Sequence, residues 1–158
     1  MKRLTHVNSR GEASMVDVSA KPIVLREAMA SGEIRLQRAT LDRIQSNQIA
    51  KGNVLATARI AGIQAAKKAG ELIPLCHPLP ITHCEVDFLI PKTRDRILIT
   101  ARAKIAAQTG VEMEALTAVT LAALAIYDMC KAVDRSMVIG RVKLVSKRKS
   151  PASEKVEK

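Results

Sequence analysis

The stretch TGVEMEALTAVTLAALAIYDMCKAVD, residues 109–134, decides how the rest of the chain is read. It predicts one long helix. Thr109 and Gly110 suit its start, and Glu112 and Glu114 fall in the first turn, where carboxylates meet the positive end of the helix dipole. Across residues 115–127 only Thr117 and Thr120 interrupt an apolar run, which leaves no face for water. A helix apolar all round is buried on all sides, and this run falls short of the ~20 residues a bilayer requires. The expectation is a core helix, covered in part by another subunit. Charge returns at Asp128 and Lys131, three residues apart and so neighbours on one face. Partial burial there is expected to raise the carboxylate pKa and lower that of the lysine, making both useful acids and bases near pH 7. Fully exposed, they would be an ordinary ion pair.

The 158 residues are the size of one domain. Phe88 and Tyr127 are the only aromatics, so the core must be built from Ala, Ile, Leu, Val and Met. Such side chains pack closely but bury little area each, which again favours oligomerisation. A formal charge of +11 points to an anionic partner: nucleic acid, an anionic membrane or a phosphorylated metabolite. Nucleic acid is disfavoured, because almost no aromatic side chain is available for base stacking and no binding motif is present. The three cysteines, Cys76, Cys84 and Cys130, are too few and odd in number for a disulfide framework, and they suit a reducing cytoplasm. The N-terminal residues contain no apolar signal segment.

Working outward, residues 1–20 read as a flexible polar arm with a short apolar patch at 15–18. A strand is predicted over 23–29, a turn at Ser31 and Gly32, and a second strand over 33–36. Thr40 is expected to cap a short helix reaching residue 47, and Asn53 a longer one over 54–68, ended by Gly70. Pro74, Pro78 and Pro80 exclude regular helix across 72–79. Strands over 81–90 and 96–104 follow, joined by a polar turn, and a last strand spans 137–145. The chain thus divides into the arm, a single domain over 21–147, and a charged, disordered tail over 148–158 that frays from Ser146. Strand, helix, strand, strand, helix, strand is the ferredoxin-like order: an α+β fold with an antiparallel sheet and helices on one face.

Several groups carry potential chemistry. In LIPLCHPL, residues 72–79, His77 lies in irregular backbone, where an imidazole can bind substrate and transfer protons or equally well bond a loop carbonyl. Cys76-His77 and His83-Cys84 form a mirrored pair, but neither spacing matches a zinc pattern, so no metal site is expected. Lys51-Gly52 directly precedes a helix start and suits phosphate, though without a P-loop frame it reads as well as a plain loop lysine. Lys147-Arg148-Lys149 is by default a solvated run that can also reach a phosphate. Glu114 and Asp128 lie roughly 21 Å apart along a helix rising ~1.5 Å per residue. If both ends of this helix serve one small reacting centre, the site is shared between chains.

Five stretches together resemble one family: MVDVS at 15–19, ARIAGIQAAK at 58–67, LIPLCHPL at 72–79, TGVEMEALTA at 109–118 and YDMCKAV at 127–133. It is the molybdenum cofactor biosynthesis protein C family, the cyclic pyranopterin monophosphate synthases. The resemblance runs from residue 4 to about 147. It implies a ferredoxin-like fold assembled as a homohexamer, a trimer of dimers, with active sites at subunit contacts. It also implies a lyase reaction that rearranges a nucleotide-derived substrate, cyclic dihydroguanosine triphosphate, to cyclic pyranopterin monophosphate with loss of pyrophosphate. By this resemblance Asp128 is the catalytic aspartate and Lys51 and Lys131 the catalytic lysines. Leu75, Cys76, His77, Met113 and Glu114 match substrate-binding segments, and Glu112 and Arg26 match polar pocket residues. From the chemistry, His77 joins the proton-transfer groups, and Arg26, Lys51 and Lys147 can meet the triphosphate. A rearrangement requires no redox cofactor, so none is expected. Asn53 stands where relatives often have Asp, and Arg148-Lys149-Ser150 where they are often glycine-rich.

Overall fold

The computed structural model describes residue 7 and residues 10–151. Four strands form one antiparallel sheet: β1 (Val24–Arg35), β2 (His83–Leu89), β3 (Arg96–Ala107) and β4 (Val138–Ser150), in the order β2-β3-β1-β4. The helices are α1 (Arg38–Gln45), α2 (Val54–Lys67), the single turn α3 (Ala69–Leu72) and α4 (Glu112–Cys130). The result is an α+β fold in which α2 and α4 pack on each other and on the sheet. Alternation along the strands sends Ala28, Ala30, Ile34, Ile97, Ile99, Ala101 and Ala103 into the core, where Ala115, Ala118, Val119, Ala122 and Ile126 of α4 meet them. The opposite sheet face is charged, with Glu27 paired to Lys104 at 2.9 Å and Glu85 to Arg102 at 3.0 Å.

The expected turn at Ser31 and Gly32 does not exist. β1 runs straight through it, with register shifts against β4 on either side of Ala30 and Ser31. The glycine serves packing instead: a Cβ at Gly32 would lie 2.7 Å from Val119 Cγ1 of α4. α1 begins earlier than expected, with Gln37 at its N-cap, and Thr40 is inside the helix. A remote carboxylate does the capping, for Asp134 Oδ2 accepts from Gln37 N at 2.8 Å and from the Thr40 hydroxyl at 3.1 Å. Asn53 caps α2 as expected, its side chain accepting from Ala56 N at 2.9 Å. α2 ends at Lys67, and Gly70 sits within the extra turn α3.

α4 is shorter than residues 109–134, preceded by a bend at 108–109 and followed by a turn at 131–133. By length and composition it would pass for a membrane span, but its packing makes it the core helix. Burial on all sides is not met within one chain: Leu124 is 49% exposed and Thr120 also faces solvent. The tail expected to fray from Ser146 is paired through Ser150, because β1 is long enough to give Lys147, Arg148 and Lys149 partners at Ala28, Glu27 and Arg26. Residues 1–6, 8 and 9 of the expected arm and 152–158 of the expected tail lie outside the described residues.

Candidate active site

The two ends of α4 hold two different clusters. At its C-terminal end the helix supplies Asp128 and, one turn on, Lys131, whose Nζ lies 2.7 Å from Asp128 Oδ1. Lys51 arrives from the connection between α1 and α2. Its Nζ donates to Asp128 Oδ2 at 2.6 Å and to the Asp128 carbonyl at 3.0 Å. The backbone turn that delivers it depends on Gly52, at φ +94°, a conformation side-chain-bearing residues rarely adopt. All three side chains are about half exposed.

The expected pKa directions are reversed here. Hydrogen bonds from Lys131 and then Lys51 hold the Asp128 carboxyl down at about 2, and Asp128 in turn raises Lys131. Charge pairing outweighs the slight burial at this end.

At the N-terminal end of α4, irregular backbone between α3 and β2 carries Leu75, Cys76 and His77 into a cleft of about 490 Å³. Glu112, Met113 and Leu116 form its helix wall, and Val16 and Val18 close another side. Glu114, 1% exposed, sits behind Cys76, whose Sγ lies 4.0 Å from Glu114 Oε1. Glu114 Oε2 is buried with no hydrogen-bond partner among the described residues. Burial pushes the Glu114 carboxyl up, and neighbouring Glu112 adds to the shift. Burial also raises the Cys76 thiol, helped by Glu114 and Glu112, so Cys76 is a hydrogen-bond donor rather than a thiolate nucleophile. His77 Nε2 contacts the Val16 carbonyl at 2.8 Å.

Beyond Glu112 a second cavity of about 300 Å³ is lined by Arg26, Lys147, Arg148 and Lys149. Lys147 Nζ is paired with Glu112 at 3.0 Å. Arg26 is pinned by the Ala107 carbonyl at 3.1 Å and the Gln108 carbonyl at 2.9 Å. Lys149, expected in a solvated run that can also reach a phosphate, lies on β4 across the ladder from Arg26. The contribution of residues 16–19 was missed, although the apolar patch there was a usable signal.

One chain therefore brings Lys51, Asp128 and Lys131 together, and separately Arg26, Leu75, Cys76, His77, Glu112, Met113, Glu114 and Lys147. The helix between them keeps the clusters roughly 21 Å apart at ~1.5 Å per residue. Among the described residues no three His, Cys, Asp or Glu side chains converge as metal ligands.

An α+β fold thus sets a cavity lined by cations beside a cleft backed by a buried carboxyl. The chain belongs to the MoaC family, whose profile matches residues 15–150. A cyclic pyranopterin monophosphate synthase of Pelotomaculum thermopropionicum is 57% identical over 147 residues, covering 93% of this chain and 86% of that protein. Similar proteins of the same name occur in Roseiflexus sp., 56% identical over 93% of both chains, and in Parvibaculum lavamentivorans, 53% identical over 92% of this chain and 91% of the relative.

Proposed function

We propose that this chain is a cyclic pyranopterin monophosphate synthase. It converts cyclic dihydroguanosine triphosphate to cyclic pyranopterin monophosphate with release of pyrophosphate, a lyase reaction of molybdenum cofactor biosynthesis. The observation that carries the reading is the division of acid–base and anion-binding groups between opposite ends of α4. Neither cluster alone offers what ring opening, reclosure and phosphate displacement demand. We assign the active site to a contact between subunits, where the Lys51–Asp128–Lys131 end of one chain meets the His77–Glu112 end of another.

The chemistry follows from the resting geometry. Asp128 stays a carboxylate and aims two ammonium groups, both proton donors. A polyphosphate competes for those ammoniums and frees the carboxylate to accept a proton. Arg26, Lys147 and Lys149 meet phosphate charge, while the Glu112 carboxylate and Cys76 thiol pair with guanine-derived donors and acceptors. No step calls for a cofactor.

The strand order supports a ferredoxin-like assignment. Exposed Leu124 on α4, with Val138, Val142 and Val145 on the edge strand β4, supports association into the homohexamer, and free thiols support a cytoplasmic setting. The test is to supply the cyclised triphosphate and measure pyrophosphate. Wild-type protein turns over and Asp128→Ala does not. Oligomers mixed from inactive Asp128→Ala and inactive His77→Ala chains regain activity. Full activity in Asp128→Ala defeats the assignment; mixed oligomers that stay dead defeat the shared site.

A further inference from the structure

Residues 16–19 lie outside every helix and strand, yet they are tied down at several points. Asp17 Oδ1 accepts the Ser19 N–H at 2.9 Å, closing an Asx turn, and Lys21 N donates to the Val18 carbonyl at 2.9 Å. Gln108, just past the end of β3, donates from Nε2 to the Ser19 carbonyl at 3.0 Å. Held this way, the segment sets its Val16 carbonyl 2.8 Å from His77 Nε2 while Val16 and Val18 wall the cleft. A carbonyl can only accept, so this contact requires the ring proton on Nε2 and leaves Nδ1 as the acceptor of the neutral imidazole. The same Gln108 accepts Arg26 Nη2 at its own carbonyl, at 2.9 Å. One residue thus joins the phosphate-side cation to the segment that holds the imidazole.

We propose that Gln108 and Asp17 are positioning residues: they seat the 16–19 segment so that its Val16 carbonyl fixes His77 with the proton on Nε2 and Nδ1 as the ring's acceptor. Without the segment the ring can rotate and exchange tautomers, and either nitrogen can face a substrate. The proposal rests on the reading that the His77 cleft is half of an active site. The hydrogen bond itself exists without substrate, so the two are separable.

The test uses full-length protein labelled with ¹⁵N-histidine, which carries three imidazoles. The His77 Nε2–H gives a slowly exchanging resonance near neutral pH, assigned by its loss in His77→Asn. Gln108→Glu keeps the side-chain shape but removes the donor, and Asp17→Ala removes the turn acceptor. Each abolishes the resonance and lowers kcat for pyrophosphate release on the order of tenfold to a hundredfold, as small misplacements do, with KM little changed. Asp17→Asn keeps an accepting oxygen and keeps the resonance. A resonance that survives both Gln108→Glu and Asp17→Ala, or a wild-type ring protonated at Nδ1 instead, overturns the proposal. A resonance that behaves as described in a wild-type protein without turnover leaves the positioning role standing and defeats the activity.

Discussion

The two ends of α4 treat a carboxylate in opposite ways. Asp128 is half exposed and held between two ammonium groups, which pull its pKa down to about 2. Glu114 is buried with one oxygen unpartnered among the described residues, and burial pushes its pKa up. The difference shows which force controls each site: charge pairing at one end, desolvation at the other. A residue of the first kind is an anion that organises donors and takes a proton only once they are drawn away. One of the second kind is poised to exchange a proton or to receive a donor from a ligand.

The strongest way to break this contrast is Asp128→Ala, expected to lower turnover by about a thousandfold, the middle of the range for a lost acid–base group, in a pyrophosphate-release assay. Glu114→Gln is expected to cost on the order of tenfold to a hundredfold in turnover while raising stability. The amide keeps a polar group in place but removes the charge that burial disfavours, and that relief appears as a higher melting temperature. The sign follows from linkage. With its folded-state pKa raised above 4.5, Glu114 makes the folded chain bind more protons than the unfolded chain, so stability falls as pH rises through 4.5. The gain in Glu114→Gln therefore grows as pH rises above 4.5 and levels off once Glu114 is ionised in the folded chain. A gain that does not grow would mean that a group from another subunit satisfies Glu114.

Lys149→Ala sharpens the anion-binding side of the comparison. It is expected to raise KM a few-fold, with the effect shrinking as salt is added. The smallest effect is thermal. Asp128, with its folded pKa depressed, contributes stability above 3.8 that is lost as pH falls through about 2. Lys131, raised above 10.5, contributes below that value and loses it at higher pH. Melting curves should give Asp128→Asn a small deficit that is flat from pH 5 to pH 9 and vanishes toward pH 2, the reverse of the Glu114→Gln profile.

Much of this was legible along the chain because it is local. The long apolar run, interrupted only by Thr117 and Thr120, made α4 the core, alternation marked β2 and β3, and Asn53 announced the start of α2. What escaped depends on distant partners. Gly32 reads as a turn until Val119 is seen to occupy the space beside it. Arg148 and Lys149 read as tail, and Lys147 as the start of fraying, because nothing local reveals the length of β1. The Asp128 environment was misjudged because apolar neighbours in sequence suggested burial, whereas its position at the helix end leaves it open to water and to Lys51, 77 positions away.

The seam between α2 and α4 has a consequence of its own. A methyl at Gly62 would come within 2.8 Å of the Ala118 carbonyl and 3.3 Å of Ala122 Cβ. Wedging the helices apart there would carry the loop bearing Lys51 away from the end of α4. Tolerance to mutation should therefore collapse at a position that touches no reactant, and a systematic substitution screen would find its sharpest cold spot at a residue with no side chain at all.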